Sequence, residues 1–149
     1  MKKAAIRLVT IMLAFMMVFG NSGVTANAAK SDAKVKSFCK TLSRGSNKFA
    51  KTVGSYKVRY KKKGGKYIFN VTLNSNVSIG MYQISKAMAP SEYYEARDSV
   101  VKTTIKLKKK AKKAGIKKSS FTYTVMAKGV KLWVIKDGVL IYDKLSPVK

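Results

Sequence analysis

The sequence predicts an α+β domain in which two helices pack on one face of a mostly antiparallel sheet of four to five strands. Three observations carry this. Apolar residues recur at three- and four-residue spacing over residues 31–53 and again over 90–114, as on an amphipathic helix. Residues 56–73 and 121–141 instead alternate apolar with polar, as half-buried strands do. Glycine-containing pairs fall between the alternating runs, where tight hairpin turns require them.

The first helix starts at Ser31, a residue suited to capping, with Asp32 in the first turn where the helix dipole favours a carboxylate. Val35, Phe38, Leu42, Phe49 and Val53 form its apolar stripe, and Gly54 stops it. Gly45 falls on the stripe and weakens the helix by roughly 1 kcal/mol relative to alanine. One continuous helix is expected, with a break at Arg44-Gly45-Ser46 as the alternative.

Tyr56, Val58 and Tyr60 then alternate with Lys57, Arg59 and Lys61, and after Gly64-Gly65 the residues Tyr67, Phe69, Val71 and Leu73 share one face. A two-residue turn there pairs Lys63 with Lys66, which sets Tyr60 opposite Phe69, Val58 opposite Val71 and Tyr56 opposite Leu73. The same register gathers Lys57, Arg59 and Lys61 with Thr72, Asn70 and Ile68 on the opposite, solvated face. That face is the first candidate binding surface.

Residues 78–89 form a short helix or a loop, and Pro90 opens a new helix because its missing N–H costs nothing in a first turn. Tyr93, Val100, Val101, Thr104, Leu107, Ala111 and Ala114 give that helix its apolar face. Glu92, Glu95 and Asp98 lie at its start and a lysine run at its end, complementing the dipole. This accounts for the three carboxylates without a metal ion. Gly115 followed by Ile116 reads as a left-handed stop with an apolar residue folded back.

In the last third, Phe121, Tyr123 and Val125, then Leu132 and Val134, then Val139 and Ile141 alternate around turns at Lys128-Gly129 and Asp137-Gly138. Counting from the first turn sets Val125 opposite Leu132 and Tyr123 opposite Val134. Trp133 and Ile135 then point to the other face, with Trp133 half exposed or covered by a loop or partner.

Met1 to Ala28 has the three parts of a secretory signal: basic Lys2, Lys3 and Arg7, the apolar run Leu8 to Phe19 interrupted by Thr10, and Ala26-Asn27-Ala28 as a small-x-small cleavage site. The apolar run is too short for a spanning helix, which needs roughly 20 residues. Residues 1–28 are therefore expected to be a cleaved signal and 29–149 a single basic domain, secreted and extracellular or held at the cell surface by charge, with no integral span after cleavage.

Composition removes most catalytic chemistry. The chain has no histidine and one cysteine, Cys39, so histidine-containing zinc sites, cysteine clusters, Ser-His-Asp triads and Cys-His dyads are unavailable within it. Ser31-x-x-Lys34 and Ser37-x-x-Lys40 match a hydrolase pattern, but its Ser-Asp-Asn and Lys-Thr-Gly companions are missing. No enzymatic activity, cofactor or metal is expected.

What remains is charge: 32 Lys and Arg against 6 Asp and Glu, a net +26 over 149 residues. With 46 % apolar residues the chain has the means to build a core, so this is a folded basic domain rather than a disordered tail. Six basic residues fall within 57–66 and nine within 102–118. From these runs Lys57, Arg59, Lys61, Lys62, Lys63, Lys66, Lys106, Lys109, Lys110 and Lys113 are the candidate anion-binding residues, and Trp133 is a candidate interaction residue. Beyond the leader the only arginines are Arg44, Arg59 and Arg97. Lysine supplies diffuse attraction, whereas fixed bidentate recognition favours arginine. The expected partner is an anionic wall polymer or acidic lipid surface, or extracellular DNA or an acidic protein.

The signal ending in Ala26-Asn27-Ala28, the Tyr56 to Leu73 hairpin with its Gly64-Gly65 turn, the helix ending in Lys112 to Gly115 and the closing strand around Lys136-Asp137-Gly138 together resemble a family of small exported domains from Gram-positive gut bacteria, some secreted and some lipid-anchored. The resemblance spans most of the exported part and implies the same α+β order. It brings no activity or site residues, and a strand near Val130 departs from the family's four-strand order. The expected function is a secreted binding module that attaches by charge to anionic envelope or extracellular polymers. The alternative is a secreted protein-interaction or inhibitor domain using the sheet face around Trp133, with a membrane-active toxin ranked third.

Overall fold

The structure is a computed structural model that describes residues 31–148, with backbone alone at 31 and 45–52; the signal expected at 1–28 lies outside the described residues. Its elements run α1 (Ser31–Val53), β1 (Gly54–Lys63), β2 (Lys66–Ser75), α2 (Ile79–Met88), α3 (Pro90–Lys113), β3 (Ser119–Ala127), β4 (Val130–Lys136) and β5 (Val139–Asp143). The five strands form one sheet in the order β1-β2-β3-β4-β5. All neighbours are antiparallel except β2 and β3, which are parallel. A parallel pair needs a long crossover, and α2 with α3 supplies it. This is the expected α+β class; of the short helix or loop expected at 78–89 the structure forms the helix, and α1 is unbroken through Gly45.

The first hairpin has the expected register, from Lys63 opposite Lys66 through Tyr60 opposite Phe69 to Tyr56 opposite Leu73. Its turn and the two later ones all use paired left-handed residues: Gly64 and Gly65, Lys128 and Gly129, Asp137 and Gly138. Two positive φ angles match the right-handed twist of the flanking strands, which is why two-residue turns suffice. Gly54 is required for another reason. A Cβ there would lie 1.9 Å from the Asn74 carbonyl oxygen, so only glycine lets α1 run directly into β1. At the end of α3 the Gly115 N–H donates to the Lys112 carbonyl and the Ile116 N–H to that of Ala111, and Ile116 is buried. The expected stop is formed in full.

The helices share one face of the sheet around a single apolar cluster. Phe38 of α1 meets Phe69 edge-on at 5.6 Å, and Phe69 stacks on Phe121 of β3 at 4.6 Å. Val35, Leu42, Val71, Tyr123, Val125 and Leu107 are all buried in that cluster, and Val58 packs against it half-buried. Cys39 is buried in α1, and desolvation pushes its thiol up to about 11, so it behaves as a small apolar residue.

One expected register is corrected. Ala127 faces Val130 and Met126 faces Lys131, as the Lys128-Gly129 turn demands, but the register then shifts and Val125 faces Trp133 while Tyr123 faces Ile135. A β-bulge takes in Leu132 as the extra residue, and both Leu132 and Trp133 are buried. Trp133 is 0 % exposed. It is a core residue on the helix-covered side, not a half-exposed contact on the open one. Its indole N–H donates to the Tyr93 hydroxyl at 2.8 Å, and Tyr82 and Tyr93 meet its ring edge-on.

Candidate functional site

The side of the sheet away from the helices is set by the period of two along each strand. In β1 it carries Lys57, Arg59, Lys61 and Lys63, and in β2 Lys66, Ile68, Asn70, Thr72 and Asn74. Thr122, Thr124 and Met126 continue it in β3, and Lys131, Val134 and Lys136 in β4. Rows across the sheet can be followed residue by residue. Arg59 faces Asn70, which faces Thr122, which faces Lys136; Lys57 faces Thr72, which faces Thr124, which faces Val134.

Between the cationic residues of β1 and Lys131 and Lys136 of β4 this face is mainly uncharged, with Asn70, Thr72, Asn74, Thr122 and Thr124 as hydrogen-bonding side chains, Ile68 and Met126 as apolar ones, and Lys66 at one end of β2. Alternate residues along β1 are about 6.8 Å apart, and β1 and β4 are separated by about 14 Å, the width of three strand spacings. That strip, called the trough below, is wide enough for one extended polymer chain. Lys57, Arg59, Lys61, Lys63, Lys66, Lys131 and Lys136 are all exposed.

Five of the six carboxylates lie away from the trough, and Asp137 stands at its end near Lys66. Asp32 lies in α1, Glu92, Glu95 and Asp98 in α3, Asp137 in the β4–β5 turn, and Asp143 is buried on the helix side. Asp137 is engaged where it stands: it accepts hydrogen bonds from Ser120 Oγ at 2.7 Å and the Phe121 N–H at 2.9 Å, with Lys108 Nζ at 3.6 Å. Partial burial opposes its ionisation, but those two hydrogen bonds and the nearby Lys108 and Lys66 prevail and hold its carboxyl below the ordinary 3.8. A lowered folded value stabilises the fold above that ordinary value, and the contribution is lost as pH falls through the folded one. Asp137→Asn, which tolerates the left-handed turn, should therefore cost about 1 kcal/mol at neutral pH once solvent screening is allowed for. Urea unfolding should show the gap from the parent shrinking as pH drops below 3.8.

The candidate lysines do not form one surface. Lys62 points to the helix side, 5.4 Å over the Tyr67 ring and 3.6 Å from Asp32, which also accepts the Tyr67 hydroxyl hydrogen. Lys106, Lys109, Lys110 and Lys113 belong to α3, on the opposite side of the sheet from the trough. Lys106, Lys109 and Lys113 are exposed there, whereas Lys110 is half-buried with an unpartnered Nζ. Desolvation, reinforced by neighbouring Lys106, lowers the Lys110 pKa. Thr122, Thr124, Lys131 and Lys136 were not among the expected site residues. Their alternation with Phe121, Tyr123 and Val125 gave the facing of the threonines, but only the parallel β2–β3 pairing lays them beside Asn70 and Thr72.

Asp143 supports the fold rather than a ligand. Its Oδ1 accepts hydrogen bonds from the Tyr93 hydroxyl and the N–H groups of Leu145 and Ser146, and its Oδ2 from Arg97. The carboxylate ties β5 and the chain end to α3. Among the described residues no cluster of three His, Cys, Asp or Glu side chains is placed to hold a metal ion, and no helix is long and apolar enough to cross a membrane. No family model, curated protein or solved structure matches the chain.

Proposed function

We propose that the protein is a secreted, non-catalytic binding module that attaches by charge to anionic cell-envelope or extracellular polymers through the open face of its sheet. One observation carries this: all the charged side chains on that face are cationic, while the acidic residues sit in the helix layer, a turn or the core. A solubility device needs no such sorting. The uncharged Asn70, Thr72, Thr122 and Thr124 between the margins supply hydrogen bonds to a polymer's oxygens without repelling it. The predominance of lysine suits repeated, weakly specified charge. Trp133 makes no surface contact, because its ring is buried.

The test is retention of the purified protein on washed Gram-positive walls, with and without their teichoic acid, from about 50 to 500 mM salt. About six side chains neutralising a flexible phosphate chain predict a loss near four powers of ten in affinity for a tenfold rise in salt. Retention that vanishes with the polymer and with salt is the expected result. No retention at low salt, or retention indifferent to salt, rules the proposal out.

A further inference from the structure

The two edges of the sheet are finished in opposite ways. An unpaired edge strand exposes backbone donors and acceptors, and soluble proteins commonly guard it with charge. β1 is guarded by exposed Lys57, Arg59, Lys61, Lys62 and Lys63. β5 is not. From Val139 to Tyr142 it carries no charged residue, with Val139 60 % and Ile141 53 % exposed. Among the described residues no strand lies beyond it. On the helix-covered side Ile105 of α3, 41 % exposed, lies against Gly138, where a Cβ would meet its side chain at 2.5 Å.

Lysines stand at both ends of this edge. Lys136 faces Val139, and Lys144 follows Asp143 and, with Lys86, Gln83, Ala87 and Leu145, lines a shallow depression of about 450 Å³. The one acidic residue of β5, Asp143, is turned inward to Tyr93 and Arg97. We propose that the outer edge of β5 is a strand-addition site for a separate polypeptide, an extended apolar segment flanked by carboxylates. Its backbone pairs with β5, its apolar side chains cover Val139 and Ile141, and its acidic ends meet Lys136 and Lys144. A second copy of this chain is the poorer occupant, because it brings the same lysines within a Debye length of about 8 Å. This site borders the polymer-binding face at Lys136, which faces Val139, but its backbone pairing does not depend on polymer binding.

The probe is a synthetic peptide, Glu-Glu-Val-Thr-Val-Thr-Val-Glu-Glu, titrated into the isotopically labelled protein. Saturable shifts and slowed hydrogen exchange at the amides of Val139 to Tyr142 are expected. Ile141→Lys, at an exposed position, should weaken binding at least about tenfold, as should exchanging the peptide's glutamates for lysines. No saturable shift, equal binding of the lysine-flanked peptide, or shifts confined to Arg59, Asn70 and Thr122 would overturn the proposal. So would a concentration-dependent dimer, seen by sedimentation and abolished in Ile141→Lys, which would make a second copy the occupant.

Discussion

Trp133→Ala is expected to lower unfolding free energy by about 3–5 kcal/mol, the range for truncating a buried large aromatic side chain. The indole is fully enclosed, so its removal leaves a cavity between β4, α2 and α3 bounded by Tyr82 and Tyr93. The Tyr93 hydroxyl also loses its donor, and that hydroxyl in turn donates to Asp143, so the damage reaches the contact holding β5 to α3. Against a typical domain stability of about 5–15 kcal/mol this is a large fraction. Trp133→Phe keeps most of the volume and loses the N–H bond, for which about 1–2 kcal/mol is expected. Urea unfolding with an unchanged m-value measures both. A folded Trp133→Ala protein with the parent's midpoint would contradict the core position of Trp133. Below its unfolding transition the variant should still bind polymer as the parent does.

The hairpin of β1 and β2 was legible because every determinant is local: an alternation, a glycine pair and a counted register. The register of β4 was not, since Leu132, Trp133, Val134 and Ile135 are all apolar and a period of two cannot choose between their faces. Partners distant in sequence hold the observed side: the Tyr93 hydroxyl on α3, 40 residues away, takes the indole N–H, and Tyr82 of α2 meets the ring. The burial of Asp143 was hidden for the same reason, as its side-chain partners Tyr93 and Arg97 lie 50 and 46 residues before it.

The candidate site was legible by strand and illegible by surface. Lys57, Arg59 and Lys61 were placed on the right face by alternation, but Lys62 and the α3 lysines were grouped with them only because charge runs are contiguous in sequence. Contiguity says nothing about facing. The parallel contact between β2 and β3, made through a crossover of two helices, completes the trough and has no local signature.

That separation of the lysines onto two sides of the molecule allows a comparison in which net charge is held constant. Replacing Lys57, Arg59 and Lys61 by glutamate removes one margin of the trough; replacing Lys106, Lys109 and Lys113 by glutamate changes the charge equally but on the helix side. If the open face is the binding surface, the first variant loses direct contacts and gains repulsion beside the polymer. Its affinity should fall about a hundredfold, near 3 kcal/mol, and its log–log salt slope should flatten by about two units. The second acts only through a field screened beyond about 8 Å at physiological salt, and should lose less than about tenfold with its slope retained.

The most direct measurement is therefore the affinity of these two triple variants for soluble teichoic acid, taken side by side across a salt titration, with circular dichroism verifying that both stay folded. A large loss in the open-face variant alone is the predicted result. Equal losses in the two would show that net charge alone governs adhesion, and would contradict the assignment of binding to the sheet.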